Sequence, residues 1–548
     1  MARLNIETGG AAITATRRTR DAVGMARTSG RMAFGPLLYG SAGHEAGVMS
    51  STVRGEAPVV PETPVVPETP VVPETPVVPE TSVVPEIPGV PEASGVPGTP
   101  GVSGAPLVPG PPPSPGPALA AAMLGFALVT LDTSVVNVAL PAVGADLRTG
   151  MNGLQWVVDS YALVLAALLL SSGALADRIG ASRAYGAGVV VFTLASAACG
   201  LAPGLPALLA ARAVQGAAAA VMLPASLALV REAYGDPGRR ARAVSLWAAG
   251  GTVAVALGPV AGGALTTAWS WRGVFFVNLP LGLAALVLLA RVARSARRPA
   301  PLDLPGQLTA AAALGALTFA AIEGGTRGWW ALGVAVVSFA AFLVVEARRR
   351  DPVVPLGLFR DTTVAVTVAA GAANSVAFYG MVFVFGLFFQ QVLGLSALGA
   401  GLMFLPMTGL LAGVNVLSAK AAARYGARLP IVVGQAVAVA GLLGLLAVDA
   451  GTPLPVQALL LVPLALGAGF SLPPLIAAML EAVPAERAGT AAGLLNAVRQ
   501  TAGALAIAVF GSLAGRSVTS ALGTSLLISA GFLTLTGLAS LRLPRRRA

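Results

Sequence analysis

The chain has 548 residues, of which 55% are hydrophobic and only 11% are charged; its net charge is +11 and its mean hydropathy is +0.79. Soluble domains carry about 25% charged residues, so this composition argues against a water-soluble fold. Cys199 is the only cysteine and His44 the only histidine. That inventory excludes a disulfide, a Cys/His zinc site and a histidine-based catalytic triad.

The positive charge does not indicate a nucleic-acid-binding surface, because 22 of the 35 basic residues stand in short loops between apolar runs or at the C-terminus. Such a distribution is typical of membrane topology. Lys420 is the only lysine and Ala421 follows it, so the chain has no phosphate-binding loop of the G-x-x-x-x-G-K-[ST] type. We therefore expect neither nucleic acid nor ATP as a partner.

Residues 1–117 form a segment that differs from the rest of the chain. From Val59 a six-residue unit of the VVPETP type runs eight times, and its copies become less regular towards residue 106. Proline at every third position favours extended polyproline II, which has a solvated backbone and no core. We predict a disordered cytoplasmic tail that acts as a spacer; a docking site for a proline-recognising partner is the alternative.

Fourteen apolar segments follow the tail, and each is long enough to cross a membrane as a helix of about 20 residues. The uncharged stretch 362–419 is long enough for two of them. The predicted spans are 118–141, 154–176, 184–211, 213–230, 243–271, 273–290, 304–322, 328–345, two within 362–419, 429–448, 454–478, 488–513 and 519–541.

Basic residues are distributed unequally between the loops on the two sides of these spans. With the N-terminus inside, the inner loops and the C-terminus carry 22 Lys and Arg residues, whereas the outer loops carry Arg148, Arg272, Arg327 and Arg516. This asymmetry predicts that both termini are cytoplasmic. The preference for arginine over lysine is typical of a GC-rich bacterium, so we expect a bacterial cytoplasmic membrane.

Two pairs of loop motifs indicate two related halves. The sequence RIGASR begins at Arg178, and RYGAR begins 246 positions later at Arg424. Similarly, Arg242 and Arg487, 245 positions apart, open related segments. Parallel repeats of this kind suit alternating access around a central site. We predict a six-helix bundle at 118–294, two inserted helices at 295–361 and a second six-helix bundle at 362–548.

Five motifs in this order carry a family resemblance over residues 118–543. They are LDTSVVNVALP from Leu131, GALADRIGASR from Gly173, ARAVQGAAAA from Ala211, GPVAGG from Gly258 and WRGVFFVNLP from Trp271. With them the chain resembles the major facilitator superfamily, specifically its fourteen-span drug:proton antiporters of the EmrB/QacA type. The resemblance implies an all-α integral membrane protein with the major facilitator fold and proton-coupled export.

Asp132 is a carboxylic acid inside the first predicted span, about 13 Å below its outer end at 1.5 Å per residue. An ionisable residue at that depth is costly and is a functional candidate, because it can take up and release a proton. A purely structural bond to a neighbouring helix is the alternative. The resemblance implies that Asp132 is the proton and cation site.

Arg212 and Asp159 also lie towards the outer ends of their predicted spans, so all three charged residues share the outer half. A guanidinium near a carboxylate favours its ionised form, so Arg212 could determine when Asp132 releases its proton. The segment with Arg212 and Gln215 is similar to the family's proton-coupling motif. A structural salt bridge remains the alternative for Arg212, and access to interfacial water the alternative for Asp159.

Small residues recur at every fourth position of the fifth span, which allows close helix packing, and a proline beside them kinks the helix. These residues are Gly250, Ala254, Gly258, Pro259 and Gly262, with Gly263 adjacent. Plain packing would explain the pattern. The resemblance implies an antiporter motif, made here of Gly258, Pro259, Gly262 and Gly263, whose kinked helix limits proton leak.

The loop after the second span resembles the family's gating loop, in which charged groups hold one half against the other. Its residues are Gly173, Asp177, Arg178, Gly180 and Arg183. The copy departs from the family pattern, since Ala181 and Ser182 stand at positions that are usually basic. In the second-half copy, Ala423 stands where an acid would be.

Several polar and aromatic side chains are candidates for lining a substrate cavity. They are Asn137, Gln215, Tyr379, Phe383 and Arg499. The ninth span is rich in aromatic residues, some of which could bind flat or cationic molecules, although packing explains most of them.

The sequence therefore predicts a proton-coupled antiporter that exports small amphiphilic or cationic drugs or antibiotics, without enzymatic activity, cofactor or metal, and acting as a monomer. An importer or exporter of another small metabolite is one alternative. A membrane-embedded enzyme or sensor is another, but it would need a histidine, metal or paired-acid site or a folded soluble domain, and the sequence contains neither.

Overall fold

The computed structural model describes residues 115–297, 303–349, 352, 354–484 and 487–544. The proline-rich repeat and all but the last three residues of the predicted tail lie outside these residues. Within them the chain is α-helical and contains no strand. Helices satisfy every backbone hydrogen bond internally, which is what long apolar segments require in a bilayer.

Seven helices build the first half of the described chain. They are α1 (Pro115–Leu147), α2 (Met151–Ile179), α3 (Ala181–Gly200), α4 (Leu205–Ala233), α5 (Pro237–Ala268), α6 (Gly273–Phe276) and α7 (Asn278–Leu289). Within this half, α1 packs against α5, α4 and α7, while α4 also packs against α2 and α3.

A helical hairpin follows, made of α8 (Leu304–Glu323) and α9 (Gly325–Arg348). Helix α8 packs on α2 of the first half and on α17 of the second half. Trp156 donates a hydrogen bond to Glu323 at 3.4 Å, and an ion pair of 3.3 Å between Arg349 and Asp303 closes the base of the hairpin. The inserted helices thus lie over the boundary between the halves.

The second half begins after a 3-10 turn at Leu356–Arg360. Its helices are α10 (Thr362–Leu387, continued by a π-helical turn at Phe388–Val392), α11 (Ala397–Met403), α12 (Leu405–Gly409), α13 (Leu411–Tyr425), α14 (Arg428–Leu445), α15 (Leu454–Leu460), α16 (Val462–Glu481), α17 (Ala488–Ala514) and α18 (Val518–Ser540). Here α10 packs against α17, α18 and α16, and α14 against α16 and α18.

Twelve helical segments of the described chain are long and apolar enough to cross a membrane. An all-α multi-pass membrane protein is therefore confirmed. The other two of the fourteen predicted spans are interrupted helices: α6 and α7 are separated at Val277, and α11 to α13 are separated at Phe404 and Leu410. Pro280 and Pro406 follow two of these interruptions, since a proline cannot donate the next helical hydrogen bond.

The predicted boundary between the third and fourth spans is wrong. We placed it at Arg212, but α3 ends at Gly200 and α4 begins at Leu205, so Arg212 lies in the third turn of α4. Dividing the chain at charged residues fails here because an acidic residue of another helix neutralises the arginine inside the bundle.

The two halves touch at the end of the bundle that the topology predicts to be outer, near residues 147–151, 200–205 and 268–273. Gln155 donates to the Ala508 carbonyl at 2.5 Å, and Gln390 donates to the Val138 carbonyl at 3.0 Å. Towards the opposite end, a Cβ added at Gly173 or at Gly489 would meet no other atom within 4 Å, so there is open space beside both positions.

Two glycines with positive φ support the internal repeat. Gly180 follows α2 with φ +92°, and Gly426 follows α13 with φ +80°. Their separation of 246 positions equals that of the loop motifs at Arg178 and Arg424. Only glycine adopts this backbone conformation without steric cost, so both halves use the same turn at equivalent places.

Candidate proton-coupling site

Asp132 lies at the middle of α1 and is fully buried, with 0% of its surface exposed. Fifteen residues of helix separate it from Leu147, which corresponds to about 22 Å. Helix α1 continues six residues beyond the predicted end of the span, so Asp132 sits near the centre of this helix.

Arg212 of α4 forms an ion pair with Asp132, and only 1% of the arginine is exposed. Its Nε donates to the carbonyl of Val157 at 3.1 Å, and its Nη1 donates to Oε1 of Gln215 at 2.9 Å. The guanidinium lies over the ring of Tyr161, 4.3 Å from the ring centre. A planar guanidinium suits this combination of hydrogen bonding and stacking.

Two side-chain amides bind the second carboxylate oxygen of Asp132. Gln215 donates to Oδ1 at 2.8 Å, and Asn278 of α7 donates to the same oxygen at 2.9 Å. The Asn278 amide also donates to Ser196 of α3 at 3.0 Å, and Ser196 in turn donates to the Phe275 carbonyl at 2.8 Å. One carboxylate thereby joins α1, α3, α4 and α7.

Asp132, Arg212, Gln215, Asn278 and Ser196 form what we call the coupling cluster. All five are almost completely buried. Its donors compensate an ionised carboxylate, and the pair is electrically neutral as a whole. Protonation of Asp132 would leave the Arg212 charge without its partner, at a cost of about 3–5 kcal/mol for a broken buried pair. The cluster can therefore convert the gain or loss of a proton into a repacking of four helices.

Three residues at this site were not identified from the sequence: Asn278, Ser196 and Tyr161. Asn278 lies within the WRGVFFVNLP segment that contributes to the family resemblance, so a signal was present. Ser196 and Tyr161 stand in ordinary apolar segments of the sequence, and no sequence pattern pointed to them. Cys199 also lies here, with its sulfur 3.7 Å from Oε1 of Gln215.

Asp159 lies on α2 outside the coupling cluster. Its side chain is 0% exposed, and among the described residues neither carboxylate oxygen has a hydrogen-bond partner. The alternative in which it reaches interfacial water is therefore wrong in this conformation. Asp159 stands one turn from Gln155, whose amide bonds to α17, so the acid lies near the contact between the halves.

The predicted antiporter motif lies where α5 meets two other helices. A Cβ at Gly262 would come within 2.6 Å of the Val135 carbonyl oxygen on α1, and Gly258 faces the Ser134 side chain. Gly263 lies against the backbone of Ala397 on α11, and the Pro259 carbonyl approaches Gly401. These small residues allow α5 to pack closely against α1 and, at the same height along α5, against the second half.

The predicted gating loop bonds to its own half in this conformation. Asp177 and Arg178 are exposed and form no ion pair among the described residues. Ser182 and Ser295 exchange hydrogen bonds of 3.0 and 2.8 Å, and the Ser295 hydroxyl donates to Glu232 at 2.5 Å. The ion pairs of the described residues therefore include none that joins Asp177 or Arg178 to the second half.

Residues 122–507 match the family model described as Major Facilitator Superfamily. The chain belongs to this superfamily. It is 40% identical over 406 residues to the Multidrug resistance protein Stp of Mycobacterium tuberculosis, covering 72% of this chain and 75% of that protein. It is 37% identical over 400 residues to the Methylenomycin A resistance protein of Streptomyces coelicolor, covering 72% of this chain and 84% of that protein.

A solved structure supports the same fold. A bacterial homologue of the human lysosomal transporter Spinster, in an inward-facing and unoccupied conformation, is similar with a TM-score of 0.58 and 18% identity, covering 79% of this chain and 98% of that chain. At this identity the likeness concerns the fold alone. Members of the major facilitator superfamily are transporters of small molecules and not enzymes, so the chain is a multi-pass membrane transporter.

The other predicted cavity residues of this superfamily member occupy different surroundings. Phe383 is buried in the apolar core, whereas Tyr379 and Arg499 are partly exposed. Asn137 is nearly buried on α1, donates to the Thr133 carbonyl at 2.9 Å and leaves its own oxygen without a partner among the described residues. Gln215 belongs to the coupling cluster instead.

Proposed function

We propose that this protein is a proton-coupled antiporter that exports small amphiphilic drugs or antibiotics across a bacterial cytoplasmic membrane. The observation that carries the proposal is the fully buried Asp132, ion-paired with Arg212 at the centre of the first half. The names of the relatives, which refer to multidrug and antibiotic resistance, support drugs as the substrate class.

In the proposed cycle the coupling cluster follows the direction in which the transporter opens. When the halves open outward, Asp132 takes up a proton and the ion pair with Arg212 breaks. When they open inward, the proton leaves and the pair re-forms, which suits the described conformation with its halves closed at the predicted outer end. The compound then enters from the cytoplasm and is carried out as the halves reopen.

A single acid can carry enough energy for this exchange. One charge moved through 100 mV is worth about 2.3 kcal/mol, and each pH unit adds about 1.4 kcal/mol. We propose that the proton gradient is the only energy source, so that neither ATP nor a cofactor is needed, and that the monomer is the transporting unit. Asp159, buried and uncompensated, is a second proton site in this scheme.

We also propose that the two interrupted helical segments cross the membrane, which brings the number of spans to fourteen and places both termini in the cytoplasm. The chain from Gly273 to Leu289 and that from Ala397 to Tyr425 are long enough when their pieces are taken together. The unequal distribution of basic residues supports the orientation.

The decisive experiment measures export from proteoliposomes under an imposed pH gradient, with a compound first selected by antibiotic resistance in a pump-deficient host. For one proton exchanged per neutral molecule, each imposed pH unit supports an accumulation of about tenfold. We expect Asp132→Asn to reduce this ratio to about one, since an amide cannot carry the proton.

Asp146→Asn is the matched control, because Asp146 lies on the same helix but pairs at the surface with Arg272 at 2.6 Å. The double variant Asp132→Asn with Arg212→Gln removes both charges, so it should insert normally and still fail to couple. Wild-type accumulation in either Asp132 variant would contradict the assignment of this carboxylate as the proton carrier.

A further inference from the structure

Two arginines lie deep within the membrane-spanning helices, and their electrostatic situations differ. Arg212 is neutralised by Asp132. Arg499, near the middle of α17, takes part in none of the ion pairs among the described residues. Its Nη1 donates to Asn496 at 3.2 Å, while its Nε has no hydrogen-bond partner there. A cation at this depth without a counter-charge is costly unless a ligand supplies one.

The helix facing Arg499 offers further free hydrogen-bond donors. The stem of Arg499 lies over Gly371 of α10, with its Cγ 3.3 Å from where a Cβ would stand. Two turns further, the ring of Tyr379 lies against Gly503 of α17. Ser375 stands between them on the same face of α10, is 2% exposed and has a hydroxyl without a partner among the described residues.

This group lies just below the contact that closes the predicted outer end. Gln155 bonds to the carbonyls of Ile507 and Ala508 on α17, and two turns of that helix, about 12 Å, separate Ile507 from Arg499. Arg499 is only partly buried, so its guanidinium is accessible to a compound that reaches this level of the bundle.

We propose that Arg499, with the hydroxyls of Ser375 and Tyr379, binds an anionic group, such as a carboxylate, on the exported compound. The inference rests on the export function proposed above and narrows its substrate class. A guanidinium binds carboxylates through parallel N–H donors, and hydroxyl groups complete such a site. Of the donors needed, Nε of Arg499 and the Ser375 hydroxyl are free in the described structure.

Four phenylalanines of α10 and its π-helical turn do not offer a competing cation site. Phe383, Phe385, Phe388 and Phe389 are all fully buried in the apolar core, where the last three pack ring against ring and Phe389 also packs against Phe404. Their faces are used in the apolar core, so they cannot surround a cationic compound in this conformation. The expectation of cationic compounds therefore loses the support of these four rings.

The test uses three fluorescent compounds that share a dansyl ring but differ in charge: dansylglycine, its neutral amide and the cationic dansylcadaverine. Proteoliposomes under a pH gradient should export dansylglycine about tenfold or more faster than the other two, as expected for a charge-assisted bond. Arg499→Gln should remove this preference, and Arg499→Lys should retain part of it. Arg499→Glu should favour dansylcadaverine.

Arg516→Gln, an exposed arginine just beyond the end of α17, is the control and should behave as the wild type. Because Arg499→Gln could fail by misfolding, export of the neutral amide serves as the internal measure of intact protein. Equal transport of all three compounds, or preference for the cation, would overturn the anionic subsite while leaving proton-coupled export standing. Gradient-independent movement of all three would contradict the export function itself.

Discussion

At the scale of single residues, Asn278 illustrates how one side chain serves two helices. Its amide donates to Asp132 and to Ser196, so it fixes the carboxylate of α1 against α3 from a position on α7. In the proposed cycle the amide of Asn278 does not carry the proton but positions Asp132, the proposed carrier, so its effect should appear in the pH dependence of transport.

We expect Asn278→Ala to slow gradient-driven export by about 5- to 150-fold, because loss of a buried hydrogen bond to a charged group costs about 1–3 kcal/mol. The ionised carboxylate loses a donor, so the pH profile of export should shift towards higher pH. Asn152→Ala, at an exposed position of α2, is the control. If export is slower but its pH profile does not shift, Asn278 contributes to packing and does not position the proposed proton carrier.

Asp132 and Arg212 were both identified from the sequence alone. A carboxylate within an apolar span is unusual enough to be identified without a structure. Its partners were only partly identified: Gln215 shares the helix of Arg212, whereas Asn278 and Ser196 come from distant parts of the chain. Such contacts depend on which helices become neighbours, and helix neighbours are decided by packing.

At the scale of helices, the close packing of α5 against its neighbours depends on glycines, which have no side chain. The Cβ of an alanine at position 262 would collide with the backbone of Val135, at 2.6 Å from the carbonyl oxygen and 2.9 Å from the Cα. Backbone atoms of a packed helix cannot move aside as a flexible side chain can. The glycine therefore sets the distance between α1, which carries Asp132, and α5.

Gly262→Ala should lower the melting temperature in detergent by several degrees and slow export, since overpacking costs about 1–3 kcal/mol. Gly413→Ala is the matched control, because a Cβ at Gly413 on α13 would meet nothing within 4 Å. Thermal unfolding of both variants by tryptophan fluorescence measures the difference. Equal stability of the two variants would show that α5 is free to move away from α1.

At the scale of the whole molecule, the halves meet through α2 with α17 and through α5 with α11 and α12. The hairpin α8–α9 covers the first of these contacts from outside, touching both halves. If the halves move as the proposed cycle requires, the contact of the hairpin with α2 or with α17 has to change. Trp329 and Trp330 of the hairpin are exposed and suited to the membrane interface, where they would keep the hairpin at a constant depth in the bilayer.

The fourteen-span topology can be tested with reporter fusions. Alkaline phosphatase should be active when fused after Thr149, Leu395 or Gly451, and green fluorescent protein should be fluorescent after Asp236, Gly426 or Ala548. The reason is the excess of basic residues in the second set of loops and at the C-terminus. Phosphatase activity at the C-terminus would show that one interrupted segment does not cross the membrane.

The sequence by itself determined the fold class, the approximate positions of the helical segments and the identity of Asp132 and Arg212, because hydropathy, helix length and the cost of a buried charge are local properties. Its internal repeat is matched by Gly180 and Gly426. Only the tertiary structure decided that Arg212 lies within α4 and that Arg499 has no acidic partner among the described residues. Those facts depend on which side chains of remote helices meet, and pairing across helices leaves no pattern along the chain.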